Sequence, residues 1–277
     1  MKKRISLLLL LNLFAFSFIH SADVVQVKQT RIPILIDRTD NVLFYVRINA
    51  EESKELNQIT LKFADDVELK EIASVKLFYS GTEAPQRLGQ THYAPLGQYV
   101  SSNSPGNTFA ANPSYSIKVV EQRSPNKEVV LSPNYKLFNG INYFWVSLQM
   151  KPNASLLSKI DVEMTEARLD GKDAPLSFAT EKEPHRMGIG VRHAGDDGSF
   201  SFRIPGLVTS NKGTLLGVYD VRYNNSADLQ EYVDVGLSRS TDKGQTWEKM
   251  ILPLSFGEYG GMPKAQNGVG DPAILVD

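Results

Sequence analysis

The chain has 277 residues, of which 42% are hydrophobic and 22% charged, as in a globular protein with room for two domains of about 100 to 200 residues each. Its formal net charge is −1, so no large electrostatic field marks it as a nucleic-acid or membrane-surface binder, and small or neutral partners are expected. It contains no cysteine, which excludes disulfides, thiolate nucleophiles and thiolate-held metal centres.

Residues 1–22 have the pattern of a secretory signal peptide. Three basic residues at positions 2–4 precede an apolar run from Ile5 to Ile19, and Ser21 and Ala22 supply small residues for cleavage. The run is shorter than the roughly 18 to 20 apolar residues of a spanning helix, so a membrane anchor is the less favoured alternative. We expect an exported protein, periplasmic or extracellular, without a stable membrane span after cleavage.

Residues 23–180 contain short runs with two-fold alternation, separated by turn residues. Val, Ile, Phe, Tyr and Trp dominate the runs, and Pro, Gly, Asn and Ser cluster between them. Seven or more such strands in some 150 residues predict a β-sandwich. The predicted strands are Ile32 to Ile36, Val42 to Ile48, Ile59 to Phe63, Val75 to Tyr79, Tyr115 to Val120, Tyr143 to Gln149 and Ile160 to Met164.

Aromatic residues of this domain have two readings. Tyr93, Tyr99, Phe109 and Tyr135 lie in turn-rich stretches and could contact a glycan from the surface. We expect most of the others to be core residues, among them Phe44, Phe78, Phe144 and Trp145.

A polar linker is predicted over Thr180 to Arg186, and a second domain over 181–277. Four runs in about fifty residues predict four strands, which is the content of one propeller blade. These runs are Ser201 to Thr209, Thr214 to Val221, Tyr232 to Ser238 and Trp247 to Leu252, and a fifth run, Ala273 to Val276, is expected to begin the next blade.

The turn between the third and fourth of these runs reads Ser-x-Asp-x-Gly-x-Thr-Trp, formed by Ser240, Asp242, Gly244, Thr246 and Trp247. An Asp in this place can fold its carboxylate onto nearby backbone N–H groups, a Gly can adopt a φ that other residues resist, and the Trp can enter the core. The turn resembles the Asp-box repeat of sialidase propellers and of several unrelated propellers. Its expected role is architectural.

Three further features resemble secreted bacterial sialidases. Arg203-Ile204-Pro205 resembles the motif that opens their first blade, Arg222 is followed six residues later by Asp228, and Asp271 lies at the start of the next strand. The sequence is therefore identified as resembling a six-bladed, Asp-box sialidase with a β-sandwich ahead of the propeller. The expected fold is all-β: an N-terminal β-sandwich, then the first blade and the start of the second.

The resemblance implies an exo-α-sialidase that hydrolyses terminal α-linked sialic acids with retention. Arg203 would bind the substrate carboxylate, since a guanidinium forms two parallel hydrogen bonds with that group. Asp228 would be the catalytic acid and base if burial or substrate raises its pKa, and Arg222 and Asp271 would hold ring substituents. Sialylated glycans are the expected partners. Neither a metal nor another cofactor is expected.

Other readings of these residues remain open. The resemblance places the nucleophilic Tyr, its Glu partner and two more arginines in later blades, so the 277-residue chain is expected to be inactive alone. Arg203 could instead pair with a structural carboxylate, Asp228 could be a solvated loop acid, and Asp271 could be a turn residue before Pro272. The alternatives for the whole chain are a glycan-binding protein that uses its sandwich, and a non-enzymatic propeller that binds a partner.

Overall fold

The computed structural model describes residues 24–82 and 116–277, and the backbone alone at 92–93 and 99–100. The predicted signal peptide and Phe109 lie outside the described residues, as do the side chains of Tyr93 and Tyr99. Among the described residues, no helix is long and apolar enough to cross a membrane.

The described residues form twenty strands and three short 3₁₀ turns, so the predicted all-β class is confirmed. The turns cover Leu69–Glu71, Asp196–Gly198 and Lys264–Gln266. The strands are β1 (Val25–Gln29), β2 (Ile34–Leu35), β3 (Asn41–Ala50), β4 (Glu55–Phe63), β5 (Ile72–Gly81), β6 (His92–Tyr93), β7 (Tyr99–Val100), β8 (Ile117–Arg123), β9 (Glu128–Leu131), β10 (Tyr135–Lys136), β11 (Gly140–Met150), β12 (Lys159–Ile160), β13 (Val162–Leu169), β14 (Lys172–Asp173), β15 (Leu176–Phe178), β16 (His185–Gly188), β17 (Ser201–Thr209), β18 (Leu215–Arg222), β19 (Val233–Ser240) and β20 (Ile251–Leu254).

Two sheets pack face to face in the N-terminal part of the chain. The first has the order β15-β1-β3-β11-β5-β8, and the second has the order β10-β4-β13-β14, with β9 pairing beside β10 on the same edge of β4. Alternate residues of the strands point between the sheets, as in Val25 and Val27 of β1 or Leu61 and Phe63 of β4, all of which are fully buried. One continuous hydrophobic core joins the two sheets.

The first sheet is also covered on its other face. Phe78 and Trp145 stack there with ring centroids 4.1 Å apart, beside buried Val42. Phe44 and Phe144 therefore lie in the main core, whereas Phe78 and Trp145 form a second cluster outside it. Tyr135, considered above for glycan contact, instead packs 4.7 Å from Tyr79 against the core, because its strand β10 turns it inward.

The stretch predicted as a linker is held to the sandwich. The Gln29 side chain donates to the Glu183 carbonyl at 2.8 Å and accepts from the Glu183 N–H at 3.1 Å. His185 is buried in β16, which pairs with β12 and runs parallel to β2. Burial lowers the pKa of His185. The stretch predicted as a linker therefore ends in strand β16, which its polar, unpatterned sequence did not predict because pairing with β12 and with the N-terminal strand β2 defines it.

Four consecutive antiparallel strands, β17 to β20, form the second structural unit in the simple order of one propeller blade. Three of the four predicted runs coincide with strands to within two residues. The fourth strand begins later than predicted, at Ile251, because Trp247 belongs to the preceding turn. The run Ala273 to Val276 is not a strand: it has no ladder partner among the described residues.

The interior of this four-stranded sheet is sensitive to added volume at Gly236. A Cβ at that position would lie 2.5 Å from the Tyr219 ring, 2.8 Å from Val221 and 2.9 Å from Met250. At Gly217, on the neighbouring strand, a Cβ would make only ordinary contacts, the nearest being the Trp247 ring at 3.5 Å.

We therefore expect Gly236→Ala to lower the free energy of unfolding by about 1 to 3 kcal/mol, since overpacking forces neighbours to move. The matched variant Gly217→Ala should leave stability unchanged or slightly raised, because alanine restricts the unfolded chain. Urea unfolding followed by tryptophan fluorescence measures both. Equal stability of the two variants would contradict the packing described for β18 and β19.

Candidate active site

Two arginines and two carboxylates meet at one end of the four-stranded sheet. Arg203 on β17 lies directly opposite Asp220 on β18, and Arg222 ends β18 two residues later. Side chains at positions i and i+2 of a strand share a face, so Asp220 and Arg222 project together. Asp228 reaches the same place from the loop that follows β18.

A β-bulge aims Arg203 into this cluster. The register of β17 with β18 shifts between Arg203 and Gly206, so one extra residue is accommodated at Ile204-Pro205. Ile204 has a φ of 51°, which is strained for a β-branched residue and costs on the order of 1 to 3 kcal/mol. Bulges of this kind redirect side chains at functional sites. The Arg-Ile-Pro motif thus has a local structural role that its composition did not indicate.

Arg222 is buried, with its side chain 2% exposed, and both of its terminal nitrogens donate to protein oxygens. Nη1 donates to the carbonyls of Ser226 and Ala227 at 2.8 and 2.7 Å. Nη2 lies 2.7 Å from the Asp220 carboxylate and 2.6 Å from that of Asp228. Since these donors are already occupied, the geometry favours a role in shaping the loop over the direct hold on ring substituents expected from the sequence.

The Asp228 carboxylate is exposed and ion-paired. Its side chain is 71% exposed, and its hydrogen bond with Arg222 lowers its pKa, with a smaller effect from Arg203. Burial therefore does not raise this pKa in the protein alone, because the side chain is exposed, and bound substrate is the remaining condition stated for an acid role. In this state Asp228 is ionised, the form of a general base.

Arg203 has one occupied edge and one open edge. Nη1 donates to the Ser226 carbonyl at 3.0 Å and to Asp228 at 3.3 Å. Within the described part of the chain, its Nε and Nη2 donate no hydrogen bond, and the side chain is 43% exposed. A guanidinium with a free edge facing solvent can receive a carboxylate.

Asp271 approaches the cluster through its backbone. Its N–H donates to the Asp220 carboxylate at 2.8 Å, and its own side chain is exposed. Its φ of 55° is uncommon for a residue other than glycine. Asp220, which the sequence motifs did not single out, joins two segments that carry predicted site residues. Its spacing of two residues from Arg222 was the available signal.

Tyrosines near the cluster are not arranged as nucleophiles. The Tyr219 hydroxyl shares a 2.6 Å hydrogen bond with Ser238 inside the sheet, and burial raises the pKa of Tyr219. Burial also raises the pKa of Tyr223, whose ring stacks on Tyr232 at 4.2 Å. A raised pKa keeps a phenol protonated and weakens it as a nucleophile.

The Asp-box turn lies at the opposite end of the same sheet, because Ser240 pairs with Leu215 at the start of β18. Asp242 accepts hydrogen bonds from the Ser240 hydroxyl at 2.8 Å and from the N–H and hydroxyl of Thr246 at 2.9 and 2.5 Å. Gly244 has a φ of 89° and donates to Ser240. The Trp247 ring is half-buried beside Gly217. These contacts close the turn at the end of the sheet away from Arg203 and Arg222.

Fold and site together define an all-β protein with a sandwich and an Asp-box sheet that carries an arginine and carboxylate cluster. Residues 22–173 match the family described as the N-terminal domain of BNR-repeat neuraminidase. The match covers more than half of the chain, and the chain therefore belongs to the BNR-repeat neuraminidase family.

Individual proteins agree with this assignment. The whole chain is 61% identical to a sialidase of Bacteroides fragilis, of which it covers 51%. A solved Hadza microbial sialidase is 48% identical, with a TM-score of 0.73 over 90% of this chain and 48% of that one. An anhydrosialidase of Macrobdella decora is 38% identical over 73 residues, 26% of this chain and 10% of that protein. The chain thus spans about half the length of the first two proteins.

The Asp-box geometry yields a prediction for Asp242→Asn. Hydrogen bonds from Thr246, and then from Ser240, lower the pKa of Asp242 from 3.8 to about 2. A carboxylate with a depressed folded-state pKa stabilises the fold above its unfolded pKa, and this contribution is lost as pH falls towards the folded pKa. The variant should therefore melt below the wild type at pH values well above 3.8, and the difference should shrink on acidification towards 2.

Thermal denaturation of the chain across this pH range measures the effect. Asp66→Asn, which changes an exposed turn residue, is the control and should melt with the wild type. A deficit in Asp242→Asn that does not change with pH would show that the ionised carboxylate is not what stabilises the turn.

Proposed function

We propose that this chain is the N-terminal half of an exported exo-α-sialidase, which hydrolyses terminal α-linked sialic acids of glycoconjugates with retention. In this proposal residues 1–22 are the signal peptide, 23–180 the sandwich domain and 181–277 the beginning of the catalytic propeller. The observation that carries the proposal is the loop of Ser226 to Asp228, held by two arginines, one of which keeps an open edge.

Substrate recognition begins at Arg203. A sialic acid carries a carboxylate on its anomeric carbon, and the unused Nε and Nη2 of Arg203 can donate two parallel hydrogen bonds to such a group. Lysine offers a point charge and lacks this planar pair of donors. Arg203 therefore fixes the carboxylate end of the sugar beside the Asp228 loop.

Asp228 acts on the glycosidic oxygen in this proposal. Bound substrate covers the exposed carboxylate, and its own negative charge competes for Arg203. Both changes raise the pKa of Asp228 from its lowered resting value and favour the protonated acid. After the leaving group has departed, the ionised form that the arginines stabilise is suited to accept a proton from water.

The remaining parts of the proposal concern groups outside the cluster. The resemblance implies a tyrosine nucleophile and a Glu partner in later blades. No tyrosine of the first blade is assigned as the nucleophile, which agrees with the raised pKa values of Tyr219 and Tyr223. Asp271 stands at the rim with an exposed carboxylate and would contact ring substituents. The substrate class is sialylated glycans.

Arg203→Lys in the complete gene product tests the role of Arg203. A hydrogen bond to a charged partner contributes about 1.5 to 3 kcal/mol, so loss of the planar pair should lower kcat/KM on a fluorogenic α-sialoside by roughly 10- to 150-fold. The matched control is Arg239→Lys, because Arg239 is a half-exposed arginine of β19 that pairs only loosely with Glu248. The control should retain wild-type kcat/KM.

Full activity in Arg203→Lys would show that Arg203 does not bind the substrate carboxylate. The isolated 277-residue chain completes the experiment and should give no turnover above buffer, since several catalytic groups act as a unit. Turnover by that chain would contradict the proposed division of the active site.

A further inference from the structure

One buried carboxylate connects the segments that bear the proposed site residues. Asp220 is 2% exposed and lies near the end of β18, an inner strand of the four-stranded sheet. Its Oδ2 accepts from Arg222 Nη2 at 2.7 Å, and its Oδ1 accepts from the N–H of Asp271 at 2.8 Å. These two partners lie 49 residues apart in sequence and meet on the two oxygens of a single side chain.

We propose that Asp220 is the positioning residue of the active site: it fixes Arg222, and through it Asp228, while holding the Gly270-Asp271 turn in place. The inference rests on the proposed sialidase function and extends it to a residue that does not itself touch substrate. Asp220 sets both the position and the ionisation of Asp228, and it couples the end of the first blade to the segment that follows.

The turn at Gly270 is shaped to let Asp220 approach. A Cβ at this position would lie 3.0 to 3.2 Å from the atoms of the Asp220 carboxyl group. The φ of Gly270 is not in the left-handed region, so backbone freedom is not the reason for glycine here. Space for the carboxylate is the reason. Gly270 therefore allows the backbone of this turn to lie close to the Asp220 carboxylate.

Charge makes the arrangement specific for an acid at position 220. Arg222 is buried, and an unpaired cation at such a depth is strongly unfavourable. Asp220 and Asp228 share the same Nη2 of Arg222, so their carboxylates lie close together. The negative charge of Asp220 therefore opposes the full effect of Arg222 on Asp228 and keeps that carboxyl easier to protonate.

Asp220→Asn in the complete gene product tests this coupling. The amide retains the size of the side chain and one oxygen acceptor, and it removes the charge. Loss of a supporting residue behind a reacting group lowers activity by about 10- to 100-fold, and we expect kcat/KM to fall within this range. Asp228 should also ionise more readily beside an uncompensated Arg222. The basic limb of the pH profile of kcat, which reports the enzyme–substrate complex, should therefore shift to lower pH.

Asp234→Asn is the matched control. Asp234 is also 2% exposed and lies on the adjacent strand, opposite Val221, so it faces the other side of the sheet. This variant should keep the wild-type position of the basic limb. A merely structural effect of losing a buried acid would reduce the amount of folded enzyme in both variants without moving the limb in either.

Gly270→Ala supplies a second variant that does not alter charge. Its methyl group should displace the Asp220 carboxylate and lower kcat/KM while the protein remains folded. If Asp220→Asn does not fold, the kcat/KM of Gly270→Ala tests the positioning role of Asp220. Wild-type kcat/KM and pH profile in Asp220→Asn, or wild-type kcat/KM in Gly270→Ala, would overturn the inference. An inactive wild-type gene product would instead overturn the proposed function, so the two failures are distinguishable.

Discussion

The rest of the site depends on the hydrogen bonds and ion pairs that the buried guanidinium of Arg222 makes. Its four short contacts connect strand β18, the loop of residues 226–228 and the Asp220 carboxylate. A cation buried to this extent is tolerated only when it is paired and hydrogen-bonded, so the neighbouring segments are not free to take other positions. The requirement to neutralise one arginine therefore organises a loop that contains no regular secondary structure.

The rest of the fold supplies a rigid base for that loop. The Asp-box contacts close the far end of the same sheet, where Asp242 joins Ser240 and Thr246. The sandwich adds a large hydrophobic core, and the segment that leads from it to β17 is held to it by β16 and by the 2.6 Å contact between His193 and Asp37. The Asp-box contacts and the arginine and carboxylate cluster thus occupy opposite ends of the four-stranded sheet, so substitutions at one end can be interpreted separately from those at the other.

Much of the fold was predictable because alternation of apolar residues is a local signal. Every predicted sandwich strand within the described residues overlaps an observed one, whereas β1, β9, β10, β14, β15 and β16 were not predicted. The strands β10 and β14 have two residues each, which is too short to show alternation. At the site, the motifs located Arg203, Arg222 and Asp228. The strained bulge at Ile204, the carbonyls of Ser226 and Ala227 and the reach of Asp220 to Asp271 depend on three-dimensional approach, which residue spacing does not encode.

In the proposed function, an arginine-held Asp228 serves a retaining sialidase. The most direct measurement is proton NMR of the complete gene product acting on an α-sialoside, recorded before the released sugar equilibrates between its anomers. Under the proposed function, the α-anomer of free sialic acid appears first. First appearance of the β-anomer, or absence of cleavage, would contradict it.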